Sequence, residues 1–227
     1  MSERTPQGPE IIETPEQINP KYDALLVHGY WMSEHRTGLA LRSRLAARAA
    51  ALAYDNGNGA NKIVVNLGHL WGPDYPTEGK LIAEELEKKY YVPHEAIILR
   101  ESAYSTGGEV KSFLELAGQN GWTNLLDIAF SSHHLTIPRI YEEYSGTAEF
   151  KNIEDLLKAN SESPHIENLL GRLARSRYGK AYWLYERTKW LAMHRPGFNY
   201  DELEQKNKKA RTDKGKDFIV PIDVYKS

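Results

Sequence analysis

Short apolar runs alternate with longer stretches of helical periodicity along most of the chain. The runs are too short and too continuously apolar to be surface helices, which indicates buried strands. They cover residues 23–27, 62–67, 96–99 and 124–130. Helical spacing of apolar residues follows over residues 37–54, 78–90 and 106–117. Successive β–α units of this kind predict an α/β protein with a Rossmann-like three-layer α/β/α fold and a mainly parallel sheet.

The alternation does not extend over the whole chain, and three regions are predicted. Residues 1–20 hold four prolines and several acids, which favours a flexible N-terminal arm. Residues 21–150 form the Rossmann-like domain. Residues 151–227 form a helical lobe, because helical periodicity dominates from 152 to 194.

The end of the lobe carries two further patterns. Residues 205–216 are rich in lysine and are interpreted as a solvated face or a loop. Residues 218–225 are apolar and are predicted as an edge strand, because Pro221 cannot donate a hydrogen bond inside a sheet.

Composition limits the classes of protein to which the chain can belong. The formal net charge is −2 over 227 residues, so the overall charge does not indicate a nucleic-acid or membrane-surface partner. The absence of cysteine excludes disulfides, thiolate metal sites and a cysteine nucleophile. No apolar stretch reaches the ~18 residues that a membrane span needs. We therefore expect a cytoplasmic protein with a small-molecule ligand, while the oligomeric state is not indicated.

Polar residues follow each predicted strand, which predicts one site at one edge of the sheet. In parallel sheets ligands bind at the carboxyl ends of the strands. The residues found there are His28, Gly29, Gly68, Glu101, Ser132 and His134. Glu78, Ser105 and Thr106 stand at predicted helix starts, where free N–H groups attract anions. Thr106 and Glu109 also have the spacing of a capping box.

Five of these segments, in order, resemble the YdcF/SanA/ElyC-like family, a domain of unknown function. The similar segments lie between residues 23 and 144, and they are Asp23–Gly29, Arg44-Leu45, Thr77-Glu78, Glu101 with Ser105-Thr106, and Ser131–His134 with Arg139. The sequence departs from the family pattern at Asn66-Leu67, at Ser105 and in the spacing of Arg139 from His134. The resemblance implies a Rossmann-like fold with a polar pocket at the strand ends.

The resemblance also implies candidate roles. Some members of the family are associated with cell-envelope integrity and lipid-carrier metabolism, and one is reported to bind S-adenosylmethionine, which makes that molecule the candidate cofactor. His134 with Glu78 or Glu101 is the candidate catalytic acid–base pair. The candidate ligand-binding residues are His28, Gly29, Gly68, Ser105, Thr106, Ser132 and Arg139.

Other chemistries have weaker support in the sequence. His133 is either a second functional histidine or a hydrogen-bonded residue at the rim of the site. No spacing of histidines and acids is typical of a metal site, so none is assigned. Standard dinucleotide, P-loop and nucleophile-elbow motifs are absent. The aromatic cluster from Tyr182 to Trp190 is expected to pack in the lobe, with a pocket wall as the alternative.

Three functions are compatible with these observations, and the sequence leaves open whether the protein is an enzyme. The first is binding of a nucleotide-like or phosphate- or carboxylate-bearing small molecule, with or without group transfer. The second is hydrolysis or transfer of a phosphoester or pyrophosphate linked to lipid-carrier metabolism. The third is a non-catalytic sensor or interaction module whose helical lobe contacts a partner.

Overall fold

The chain folds around one parallel sheet. A computed structural model describes residues 21–30, 32, 37–55, 59–69, 74–160, 164–195 and 197–213. The strands are β1 (Tyr22–Val27), β2 (Ala60–Asn66), β3 (Ile97–Arg100), β4 (Leu125–Ala129) and β5 (Glu149–Asn152). The helices are α1 (Leu41–Asp55), α2 (Glu78–Tyr90), α3 (Thr106–Asn120), α4 (Ile137–Glu143), α5 (Ile153–Ala159), α6 (Pro164–Arg175), α7 (Arg177–Met193) and α8 (Tyr200–Asp213).

The strand order is β3-β2-β1-β4-β5, and every pair of neighbours is parallel. Strand order reverses between β1 and β4, where Leu26 pairs with Asp127. In open sheets of this kind the crevice beyond such a reversal is the usual place for a ligand. The fold therefore directs attention to the segments that follow β1 and β4.

Alternation along the buried strands separates two hydrophobic cores. On β1, Leu25 and Val27 face one core, while Ala24 and Leu26 face the other. The first core is covered by α1, α2, α5 and α6, and the second by α3 and α4 with Tyr200 of α8. The Rossmann-like three-layer α/β/α prediction is thus confirmed.

Most of the predicted elements are present, with small shifts of their ends. Helix α2 has the predicted bounds because Thr77 caps it: the Thr77 Oγ1 accepts from the Lys80 N–H at 3.0 Å. Helix α1 begins at Leu41, four residues later than predicted. The arm at residues 1–20 and the predicted strand at 218–225 lie outside the described residues.

The structure corrects the capping of α3 and adds detail in two other places. Ser105, and not Thr106, caps α3 by accepting from the Gly108 N–H at 3.1 Å, and Glu109 turns into the core instead of closing a capping box. Strand β5 was not predicted, because its four residues carry charges and only partly buried side chains. The lysine-rich segment at 205–216 is a solvated helical face where it is described, since α8 extends to Asp213 and residues 205–209 are mostly exposed.

The helical lobe lies mainly in α6 and α7. Ser176 separates the two helices and caps α7, its Oγ accepting from the Gly179 N–H at 3.0 Å. Within the part of the chain that the structure describes, no helix combines the length and apolar character needed to cross a membrane.

Candidate functional site

The centre of the site is a buried histidine between two buried acids. His28 directly follows β1, Glu109 lies in the first turn of α3, and Asp127 lies in β4. The His28 Nδ1 is 2.9 Å from the Glu109 Oε2, and the Nε2 is 3.0 Å from the Asp127 Oδ2. The hydroxyl of Tyr141 donates to the same Asp127 oxygen at 3.0 Å. All four side chains are buried.

The two acids keep the buried histidine protonated. Burial by itself lowers the pKa of His28, but the charges and hydrogen bonds of Asp127 and Glu109 outweigh it and raise this pKa to about 10. Both ring nitrogens therefore carry protons, and each donates to a carboxylate. Burial also raises the pKa of Glu109, against the opposing charge of His28. These buried ion pairs connect the end of β1 to β4 and to α3.

A second buried histidine lies beside the first and has the opposite protonation. The ring centroids of His28 and His133 are 5.3 Å apart. Burial lowers the pKa of His133 well below its usual value, and the nearby charges of Lys189, His28 and Arg42 lower it further. His133 is therefore neutral at physiological pH.

Hydrogen bonds hold both ring nitrogens of His133. The Phe130 N–H donates to the Tyr30 hydroxyl at 3.0 Å, and the Tyr30 hydroxyl lies 3.2 Å from the His133 Nδ1. The His133 Nε2 lies 3.0 Å from the Thr106 Oγ1. The ring is therefore fixed between the segment after β1 and the start of α3.

The helical lobe reaches this cluster through two residues of α7. The Lys189 Nζ lies 3.3 Å from the Thr106 Oγ1 and 3.7 Å from the Glu186 Oε2. Glu186 is buried and accepts from the Thr136 hydroxyl at 3.1 Å. Lys189 of α7 thus pairs with Glu186 and brings its ammonium group to the start of α3.

Arg42 connects the cluster to an adjoining cavity. Its guanidinium carbon lies 4.3 Å from the centre of the Phe130 ring and 4.2 Å from that of Tyr182, so the group lies against two aromatic rings. Its Nη2 donates to the Ser132 Oγ at 3.3 Å. The Arg42 Nε is buried, and no residue in the described ranges accepts its hydrogen.

The cavity has a volume of about 280 Å³ and lies where the segment after β4 meets the lobe. Its polar lining consists of Arg42, Ser131, Ser132, Glu154 and Lys180. Its apolar lining includes Phe130, Leu170, Leu173 and Trp183. The Glu154 carboxylate accepts from the backbone N–H and the hydroxyl of Ser131 at 3.1 and 2.9 Å. This is the crevice beside the reversal of strand order, and it combines cations, hydroxyls and aromatic surface.

The start of α3 is occupied by a carboxylate of the chain itself. Glu204 of α8 accepts from the Tyr104 N–H at 2.6 Å and from the Ser105 hydroxyl. A second contact between the two helices is the ion pair of Lys111 in α3 with Asp201 in α8, at 2.8 Å. The anion position expected at Ser105 is therefore filled by α8 in this structure.

Some of the predicted residues lie inside the cluster or the cavity. His28 and Thr106 belong to the buried cluster, and Ser132 lines the cavity. Glu78 is buried and accepts from the Tyr30 N–H at 2.7 Å. Gly29 makes this approach feasible, because a Cβ there would lie 2.6 Å from the Glu78 Cδ.

Other predicted residues lie elsewhere. Glu101 is exposed and accepts from the Thr77 hydroxyl, and Gly68 pairs through its N–H with the Ala103 carbonyl at 2.8 Å. The His134 Nδ1 lies 2.7 Å from the Asn152 Oδ1, so this histidine faces β5. Arg139 is exposed on α4 and pairs with Glu142 at 3.0 Å. Gly68 and Glu101 are neighbours, since a Cβ on Gly68 would lie 3.0 Å from the Glu101 carbonyl oxygen, but His134 and Arg139 have other partners.

Sequence reasoning missed several residues of the site. Arg44, the arginine of the family resemblance, is exposed, whereas Arg42 two positions earlier faces the cavity. Asp127 carried a usable signal, because an acid within a fully buried strand requires a charged partner. Trp183 lies where the alternative interpretation of the aromatic cluster placed it, in the wall of a pocket, whereas Lys180 carried no signal in the sequence.

Metal binding receives no support from side-chain positions. Within the described ranges, no group of three or more histidines and acids is arranged to hold a metal ion. The histidines and acids of the buried cluster satisfy one another instead.

Comparisons of the chain with protein-family models, curated proteins and solved structures gave no match. The function is therefore inferred from the geometry of the cavity and the buried cluster.

Proposed function

We propose that the protein binds a compact small molecule bearing a phosphate or carboxylate group in the cavity beyond β1 and β4. The observation that carries the proposal is the environment of Arg42. Its guanidinium lies against two aromatic rings, and its buried Nε has no acceptor among the described residues. Arg42 lines the cavity, and a guanidinium held against aromatic rings can donate charge-assisted hydrogen bonds to an anionic ligand there.

Most of the remaining lining suits the same kind of ligand. Lys180 adds a second cation, and the Ser132 hydroxyl adds a hydrogen-bonding group. Glu154 is the acid of the lining, and its carboxylate is bound by the N–H and the hydroxyl of Ser131. Trp183 and Phe130 offer aromatic surface on which a planar ring can stack. With about 280 Å³, the cavity is close to the lower size limit of small-molecule sites, roughly 300 Å³. A ligand of nucleoside monophosphate size meets these conditions.

The buried cluster supports binding more than catalysis. Burial lowers the pKa of His133 well below its usual value, so this histidine is a poor general base for the Thr106 hydroxyl beside it. His28 is protonated and enclosed by acids. We therefore assign the cluster the role of fixing the segments after β1 and β4, which carry the cavity wall. S-adenosylmethionine, the candidate from the family resemblance, is one member of the ligand class proposed.

The test is a thermal-shift screen followed by variants of the lining. The panel contains inorganic phosphate, adenosine monophosphate, S-adenosylmethionine and sugar phosphates, and a ligand at 100 times its Kd adds about 2.7 kcal/mol to the free energy of unfolding. Lys180→Ala and Ser132→Ala are expected to weaken binding of the active compound about tenfold, since a charge-assisted hydrogen bond contributes roughly 1.5 to 3 kcal/mol.

Lys158→Ala on α5 is the matched control, because Lys158 is also an exposed helical lysine but lies outside the cavity lining. Binding that survives both lining variants unchanged would contradict the proposal. Release of phosphate from a phosphoester, lost in His134→Ala but not in Lys180→Ala, would favour the hydrolase alternative.

A further inference from the structure

Helix α7 exposes an unusual amount of hydrophobic surface. Nine large hydrophobic side chains are exposed in the described part of the chain, and five of them lie on this single helix. They are Trp183, Leu184, Tyr185, Trp190 and Leu191, and the two leucines are 61% and 55% exposed. Isolated exposed leucines are common, but a concentration of this kind on one helix marks an interaction surface.

The exposed leucines and tryptophans form two neighbouring rows along α7, which together are called the stripe. Leu184 and Leu191 are seven positions apart, which places them on the same side of the helix about 10 Å apart along its axis. Trp183 and Trp190 repeat the same spacing beside them. The opposite side of α7 is used for packing, with Glu186 and Met193 buried.

The surroundings of the stripe are basic. Residues 164–195 contain seven lysines and arginines and only two acids, in a chain whose formal net charge is −2. One of the two acids, Glu186, is buried, whereas Lys180 and Arg187 are exposed on the side of α7 that carries the leucines. The surface therefore joins apolar side chains to local positive charge.

We propose that this face of α7 docks on an anionic lipid surface. Exposed leucine and tryptophan beside lysine and arginine is the pattern of helices that lie in a membrane interface. Tryptophan is suited to that position because its ring is apolar and its N–H can remain in contact with the polar headgroups. The docking is peripheral, since no described helix could span a bilayer.

Charge and chemistry favour this partner over two others. In a dimer formed through this face, Lys180 and Arg187 of one copy would lie near Lys180 and Arg187 of the other, and these like charges repel one another. A nucleic acid would pair with the cations, but it offers no hydrocarbon for Leu184 and Leu191, whereas an anionic bilayer supplies both.

Lys180 and Trp183 line the cavity as well as this face of α7, so the test uses residues that belong to this face alone. Leu184 and Leu191 do not line the cavity, so their substitution leaves the binding site intact. The experiment is co-sedimentation of the full chain with vesicles of phosphatidylcholine alone and of phosphatidylcholine containing phosphatidylglycerol. We expect association with the anionic vesicles, weak association with the neutral ones, and release at high salt because salt screens the attraction.

Two variants test the two components of the surface. The double variant Leu184→Gln/Leu191→Gln is expected to weaken association with anionic vesicles at least tenfold, because it removes the apolar contact. Arg187→Gln is expected to weaken association with anionic vesicles about fivefold, because one cation near an anionic surface contributes about that much to binding. The control is Leu135→Gln, an exposed leucine outside α7, with circular dichroism and ligand binding verifying the fold of each variant.

Three results would overturn the proposal. The first is no association of the wild-type chain with anionic vesicles. The second is an equal loss in Leu135→Gln and in the double variant. The third is a dimer in light scattering that the double variant disrupts without any vesicle association, which would identify a second copy as the partner of the stripe.

Discussion

Glu109 of α3 and His28 at the end of β1 form a buried ion pair across 81 positions of sequence, with 2.9 Å between the Glu109 Oε2 and the His28 Nδ1. Asp127 binds the other nitrogen of the same ring. The histidine is thus the single cation between two acids, and it joins the strands on both sides of the strand-order reversal to the helix behind them.

Loss of the histidine ring is expected to destabilise the fold strongly. His28→Ala leaves Glu109 and Asp127 buried without their cation, and breaking a buried ion pair by removing one partner costs roughly 3 to 5 kcal/mol. Urea denaturation measures this as a fall in the free energy of unfolding. His94→Ala removes an exposed histidine that pairs with Glu87, and it should change this free energy little. A loss of under ~1 kcal/mol for His28→Ala would refute the cluster's structural role.

Alkaline pH is expected to destabilise the protein through His28. The folded-state pKa of His28 is about 10, above the ordinary value of 6.5, so the stabilisation is fully present below pH 6.5 and is lost as the pH rises through 10. The slope from this group is at most ~1.4 kcal/mol per pH unit. Urea denaturation between pH 7 and 9.5 should show a falling free energy of unfolding, and the fall should be absent in His28→Ala. Identical slopes in the two proteins would contradict the assignment.

Mild acid is expected to destabilise the protein through the other histidine. The folded-state pKa of His133 is lowered well below 6.5, so below this value the unfolded chain binds a proton that the folded protein does not. The free energy of unfolding should therefore fall as the pH drops from 6.5 to 5. His133→Asn should reduce this dependence. If the free energy of unfolding depends on pH equally in the wild type and in His133→Asn, His133 can be protonated within the fold.

The carboxylate at the start of α3 is expected to hold α8 in place. Glu204→Gln keeps the size of the side chain but removes the charge that faces the Tyr104 N–H and the helix N-terminus, which should cost about 1 kcal/mol. Hydrogen exchange should become faster within α8. Glu202→Gln is the matched control, since Glu202 pairs with exposed Lys206 on the same helix. Unchanged exchange in Glu204→Gln would show that Glu204 does not anchor the helix.

The sequence predicted what depends on local pattern. Four strands and three helices of the sheet region follow from apolar periodicity, and α2 was placed correctly because Thr77 is both a local signal and the observed cap. The edge of the sheet that carries the polar groups was also predicted, since parallel strands end together. Strand β5 was not predicted because its residues are charged and partly exposed, so it lacks the apolar run by which the other four strands were recognised.

What depends on contacts between distant segments could not be predicted. Glu109 fits a capping box by spacing, yet it pairs with His28 because the turn of α3 points it into the core. His133 and His134 are adjacent in sequence, but the short helical turn at 133–135 points His133 towards Tyr30 and His134 towards Asn152. Which of two neighbouring residues enters a site is set by such turns and by the packing of the lobe.

The central claim, that the cavity beside Arg42 binds a compact anion, is tested most directly by NMR of the tryptophan indole N–H groups. Trp183 lines the cavity, whereas Trp122 packs on the other side of the sheet. Titration with adenosine monophosphate, S-adenosylmethionine and the sugar phosphates is expected to shift the Trp183 resonance saturably for at least one compound and to leave that of Trp122 unchanged. A Trp183 resonance that no compound in the panel shifts, or equal shifts at both tryptophans, would contradict the account.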